Sequence, residues 1–156
     1  MSRQILIFTL CLFLPGAFVR ANDVTLQGLL TRQESPEGVV IEIVTGDNKG
    51  LEWALPKAES YIKQLRQRFP ALAIAIVTHG REQFALQKSK QDKHKAVHEK
   101  TRSLLQNDVQ LHVCGTYAGW RGLTEEDFPD YVNVSSAGPV QIKDYRALGY
   151  ELIVIK

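Results

Sequence analysis

Runs of β-branched residues alternate with stretches of helical periodicity along most of this chain. Residues 39–45 read V-V-I-E-I-V-T between Gly38 and Gly46. A run without polar alternation suits a strand covered on both faces. Residues 72–78 (L-A-I-A-I-V-T) and 109–114 (V-Q-L-H-V-C) repeat the type, and two further segments, 132–134 and 150–155, complete a set of five strands. Between them, apolar positions recur at helical spacing. Leu51, Leu55, Ala58, Ile62, Leu65 and Phe69 mark a helix that ends before Pro70, with Pro56 expected near its first turn. Val97, Thr101, Leu104 and Leu105 share a face of a second helix, over residues 92–107. A third is expected from Pro139 to a stop at Gly149, capped by Ser135 and Ser136. Thr124 and Asp127 have capping-box spacing over a short turn. Residues 81–95 read as a polar connection in which Phe84 and Leu86 are isolated.

Strands alternating with helices imply an α/β protein with a mostly parallel sheet and right-handed crossovers. The α/β domain is expected over residues 39–156, after a weakly ordered arm at 22–38 that turns at E-S-P-E-G. Residues 1–21 have a different pattern. Arg3 precedes an apolar run at 5–14, Pro15 and Gly16 break it, and Val19-Arg20-Ala21 offers a small-residue cleavage site. This is the anatomy of a secretory signal peptide, and the run is too short to span a bilayer. The mature chain is therefore expected in the periplasm, with no membrane association after cleavage.

Maturation changes the charge. Residues 1–21 contain Arg3 and Arg20 and no acid, so Lys+Arg falls from 19 to 17, equal to the 17 Asp+Glu. A near-neutral chain gives no support to nucleic-acid binding. Maturation also removes Cys11, which leaves Cys114 as the lone cysteine. In an oxidising compartment a lone thiol either packs inertly or works as a free thiol.

Three strands end in reactive residues: Gly46-Asp47, His79-Gly80 and Cys114-Gly115. Open parallel sheets bind ligands outside the carboxyl ends of their strands, so Asp47, His79 and Cys114 are expected on one rim. A thiolate is a nucleophile, and a nearby imidazolium or helix N-terminus lowers a thiol's pKa from its free value near ~8.5. His79 is then a candidate base and Asp47 its orienting group, with Gly46, Gly80, Gly115 and Thr116 supplying backbone and hydroxyl contacts to a ligand. Sulfur-group transfer suits this set better than hydrolysis. His94 and His98 lie four apart on a helix, and His112 shares a strand face with Cys114. Lysines surround the first pair and neither pair has an evident third ligand, so no metal and no cofactor is assigned. The lysine-rich helix face is read as solvated surface, and Tyr117, Trp120 and Phe128 as core or pocket wall.

Taken in order, strand-Cys114-Gly115, R-G-L-T-E-E-D-F at 121–128, V-S-S-A-G at 134–138 and L-G-Y-E-L-I at 148–153 resemble the DsrE/DsrF-like family. Gly46-Asp47 and His79-Gly80 fit the same pattern. The resemblance implies a flavodoxin-like three-layer α/β/α sandwich and a homo-oligomer, trimer or hexamer. It also implies, for some members, sulfur relay through a cysteine persulfide. Cys114 is the residue that carries over as sulfur carrier, with a sulfur donor or acceptor protein as partner. The alternative is a non-catalytic ligand-binding or assembly module in which Cys114 only packs.

Overall fold

The computed structural model describes residues 25–156. The expected signal peptide and residues 22–24 lie outside the described residues. Five strands, β1 (Gly38–Ile43), β2 (Ala73–Thr78), β3 (Val109–Cys114), β4 (Asn133–Ser135) and β5 (Tyr150–Ile155), form one sheet of order β4-β3-β2-β1-β5. Every neighbouring pair is parallel, with Ile43 opposite Thr78 and Thr78 opposite Val113. The β-branched runs fill this sheet because both of its faces are covered.

Helices α2 (Gly50–Arg68) and α3 (Lys95–Gln106) cover one face, on the core built from Ile41, Ile43, Ile74, Ile76, Leu111 and Val113. The other face carries α5 (Gly138–Ala147), whose Ile142 and Tyr145 pack on Val40, Ala75, Val77 and Leu152. This is the expected three-layer α/β/α arrangement. A short helix α4 (Gly115–Gly119) follows β3 directly. Gly149, at φ 86°, ends α5 in a left-handed conformation that side chains rarely adopt.

Four local expectations change. The arm expected to be weakly ordered carries α1 (Leu26–Leu30), capped by Thr25, and its Leu29 is fully buried in the main core. Arg32 ties the segment to Glu151 at 2.7 Å. Pro56 lies beyond the first turn of α2. It is exposed, so the carbonyl its ring deprives of a partner can reach water. Ser135 and Ser136 do not cap α5, whose N-cap is Ala137 with no side-chain bond. The first half of the connection read as polar is a buried insert: a 3-10 turn over Arg81–Leu86 buries Glu82, Gln83, Phe84, Ala85 and Leu86, whereas residues 88–93 are largely exposed as expected. The Thr124–Asp127 capping box is present.

Candidate functional site

The strand order sets where a ligand fits. The chain leaves β3 through α4, whose Ala118 joins the core on the α2 and α3 face. It leaves β4 through α5, on the opposite face. The connections therefore diverge between the carboxyl ends of β3 and β4, which is the crevice where open α/β sheets bind ligands. A pocket of about 380 Å³ lies there, lined by His79, Cys114, Thr116, Tyr117, Trp120, Ala137 and Pro139. Cys114 and His79 are thus brought together.

Cys114 is the last residue of β3 and the N-cap of α4. Its side chain is buried, and its Sγ accepts the Tyr117 N–H at 3.4 Å. A backbone donor aimed at sulfur suits a sulfur atom that bears negative charge. Gln83, which was not picked out from the sequence, holds the Cys114 backbone at both ends. Its Oε1 accepts the Cys114 N–H at 2.8 Å, and its Nε2 donates to the Cys114 carbonyl at 3.3 Å. Thr116 donates to the Ser136 carbonyl through its hydroxyl, at 2.7 Å, and through its N–H. Its polar groups fasten the pocket wall to the loop after β4.

His79 is held by Glu42, not by Asp47. The His79 Nε2 and Glu42 Oε1 are 2.6 Å apart and both side chains are mostly buried. The geometry follows from the period-2 alternation of strands. Val40 faces α5, so Glu42 two residues on faces the same side, next to the residue that follows β2. A lone acid inside an otherwise apolar strand was the available signal, because such a group needs a partner. Asp47 caps its own loop, accepting the Lys49 N–H at 3.0 Å, and lines a different cleft. Its expected role of orienting His79 is corrected accordingly. Gly46 lies beside open space, whereas the space beside Gly80 is filled by Glu82 and Thr45, and that beside Gly115 by the Ser135 carbonyl. Gly80 and Gly115 therefore permit close packing and do not open room for a ligand.

Glu82 is fully buried and has no cationic partner among the described residues. Three donors satisfy its carboxylate, and a fourth is shared. Oε1 accepts from the Thr78 hydroxyl at 2.6 Å and the Gly80 N–H at 2.7 Å, and Oε2 from the Thr45 N–H at 2.8 Å; the Thr45 hydroxyl lies 3.1 Å from both Oε2 and the Asp47 carbonyl, and its one proton serves either. This carboxylate clamps the ends of β1 and β2 together and so fixes the backbone on both sides of His79.

His112 and His98 have structural roles. Tyr145 donates to Gln110 at 2.7 Å, so its oxygen accepts from His112 Nε2–H at 2.8 Å. Burial pushes the His112 pKa below the ordinary histidine value. His98 donates from Nε2 to the Ala85 carbonyl at 3.0 Å and accepts the Tyr131 hydroxyl at Nδ1. Burial lowers its pKa as well. With both its nitrogens engaged, His98 is not paired with His94 as a ligand. Among the described residues no group of three His, Cys, Asp or Glu side chains converges as a metal site would require.

The DsrE/DsrF-like family model matches residues 49–155, more than half of the chain and all of it from the start of α2 to the end of β5. The chain belongs to the DsrE/DsrF-like family. Solved structures of other proteins share the fold of this DsrE-like protein. A protein of unknown function from Methanobacterium thermoautotrophicum, MTH1491, matches at TM-score 0.60 and 17% identity, over 75% of this chain and 97% of its own. The ychN protein from E. coli matches at TM-score 0.55 and 14% identity, over 76% of this chain and 99% of its own. A conserved protein of unknown function from Bacteroides thetaiotaomicron, BT1422, matches at TM-score 0.52 and 11% identity, over 76% and 95% of the two chains. At these identities the likeness is one of fold. Among curated proteins, none matches the chain.

Proposed function

We propose that this DsrE-like protein is a sulfur carrier that holds sulfane sulfur as a persulfide on Cys114. The observation that carries the reading is the shared pocket of Cys114 and a Glu42-held His79 at the diverging connection of the sheet. The Cys114 thiolate attacks the outer sulfur of a donor persulfide, R–S–SH. A bond forms between Sγ and that sulfur, the donor's S–S bond breaks, and the donor leaves as its thiolate. His79 takes the thiol proton and returns it to the leaving thiolate, with Glu42 orienting the ring. An acceptor thiolate on a partner protein then repeats the attack on the carried sulfur. The pocket wall of Tyr117, Trp120 and Pro139 is apolar, which suits an uncharged sulfane sulfur.

Intact-protein mass spectrometry after treatment with a low-molecular-weight persulfide tests this. The folded wild type is expected to gain ~32 Da and Cys114→Ser to gain nothing, because thiolates exchange readily with sulfane sulfur. Absence of the added mass on folded wild type defeats the reading. Glu42→Gln is expected to slow the transfer by about tenfold through loss of ring orientation.

One observation favours a second reading. Cys114 is only 5% exposed and already satisfied by the Tyr117 N–H, which fits a packing role in an assembly module. In that case Cys114→Ser leaves in-cell function intact.

The periplasmic location and the oligomer belong to the same proposal. The pattern of residues 1–21 supports export, and N-terminal sequencing of the protein from the periplasmic fraction checks cleavage after Ala21. Trp120, Leu148 and Val140 are large apolar residues left exposed and available to a second copy of the chain, and the family resemblance suggests a trimer or hexamer. Light scattering during size-exclusion chromatography measures it.

A further inference from the structure

A second cleft, larger than the thiol pocket, opens on the same rim of the sheet. It has a volume of about 610 Å³, within the range of small-ligand sites. Its lining includes Lys49, Arg81, Lys90, Lys93 and Arg121 against one acid, Asp47, so it carries a formal charge of +4 where the whole chain carries +2. These cations come from four separate parts of the chain: the loop after β1, the turn after β2, the segment before α3 and the end of α4. Their convergence is a product of the fold, not of a charge run.

Four of these five cations are exposed and Lys90 is half-buried; what distinguishes them from the lysines nearby in sequence is their lack of ion-pair partners among the described residues. Other lysines of the same stretch of chain are ion-paired: Lys88 with Asp130, Lys95 with Glu99 and Lys100 with Glu59. Among the described residues, none of the five cations inside it makes an ion pair. Asp47 is committed to its own loop through the Lys49 N–H. Arg121 is held by stacking, its guanidinium 5.2 Å from the Phe84 ring centre and 5.8 Å from that of Tyr117. Stacking leaves its donor edges unused. Burial and the charges of Lys93 and Arg121 push the Lys90 pKa below its usual range. His94, which also lines the cleft, is more than nine-tenths buried, and its Nδ1 lies 3.4 Å from Glu52 without forming a hydrogen bond. Lys90 lies close enough to Lys93 and Arg121 to feel their charge, and a bound anion relieves that repulsion.

We propose that this cleft binds a compact multivalent oxyanion, a phosphoryl or polycarboxylate compound, at a site separate from the Cys114 pocket. Several charges on one small molecule match the spacing of several cations around one cavity, and the guanidinium fork of Arg121 suits paired oxygens. The proposal does not depend on sulfur transfer, since none of the five cations lines the thiol pocket.

Isothermal titration of the full chain at low ionic strength tests it, with inorganic pyrophosphate and citrate as separate probes. Saturable binding of one probe molecule per chain is expected, and the tighter of the two identifies the ligand as phosphoryl or carboxylate. The double variant Lys90→Gln/Lys93→Gln is expected to weaken binding by about tenfold or more. Lys63→Gln/Lys143→Gln removes the same charge from elsewhere on the surface and is expected to leave binding within about twofold. Circular dichroism confirms that each variant folds. The proposal is overturned if neither probe binds saturably into the millimolar range. Equal weakening by the two double variants also overturns it, because the attraction would then be that of the net charge alone.

Discussion

Replacing Glu82 with Gln exchanges one oxygen for an NH2 group and leaves the shape of the side chain unchanged. The consequence follows from the four donors around the carboxylate. Each oxygen faces one hydroxyl and one backbone N–H: Thr78 and Gly80 on Oε1, both groups of Thr45 on Oε2, with the Thr45 hydroxyl shared between Oε2 and the Asp47 carbonyl. A Gln side chain can take either orientation, and each one points its NH2 at one hydroxyl and one N–H. The hydroxyl can rotate and accept, but the backbone N–H can only donate. One buried N–H therefore loses its acceptor whichever way the amide turns, and a charged acceptor is lost for the others. Hydrogen bonds to charged groups contribute about 1.5–3 kcal/mol each, so Glu82→Gln is expected to cost about that much. Against a typical domain stability of about 5–15 kcal/mol, this is readily measured. Urea denaturation followed by circular dichroism should show a lower midpoint at an unchanged slope. Glu82→Ala should cost more, since the Thr78 hydroxyl and both backbone N–H groups lose their acceptor. A Glu82→Gln variant within about 0.5 kcal/mol of wild type would refute the clamp, because that is the scatter of ordinary surface substitutions.

Acid should destabilise the fold through His98 and His112. Their pKa values lie below the ordinary 6.5, so the unfolded chain binds more protons as pH falls through 6.5, and stability present above that pH is lost below it. The two together set a limit of about 2.7 kcal/mol per pH unit. Urea unfolding at a series of pH values from 7.5 downward measures the slope, and His112→Gln should remove about half of it; an unchanged slope would rule out His112 as a source. Gly138→Ala should cost about 1–3 kcal/mol by overpacking, because a Cβ there would stand 2.6 Å from that of His79 at the first turn of α5. The same variant should alter the rate at which iodoacetamide modifies Cys114, and a neutral result in both measurements would show that the helix does not fix His79.

Much of the fold was legible because parallel strands buried on both faces leave unbroken β-branched runs, and amphipathic helices leave a period of 3.6 residues. The insert after β2 was not legible. Glu82 and Gln83 look like surface residues in a polar stretch, and they are buried because they satisfy backbone groups of Thr45, Gly80 and Cys114, contacts that have no periodicity. The arm was missed for a related reason, since α1 is too short to show a repeat and is held by packing of Leu29 on α2.

The site divides in the same way. The positions of His79 and Cys114 at strand ends were determined by residue order alone, because a parallel sheet brings all its carboxyl ends to one rim. Which of those residues meet was decided only by the tertiary structure. Strand register and pleat put Glu42, not Asp47, against His79, and the divergence of α4 and α5 opened the thiol pocket between the ends of β3 and β4. The basic cleft also depends on the fold, because its charges are far apart along the chain. Local pattern reports which face of an element is covered. It carries no record of which distant polar groups then become neighbours, because hydrogen bonds and charges act at specific atoms across the packed interior.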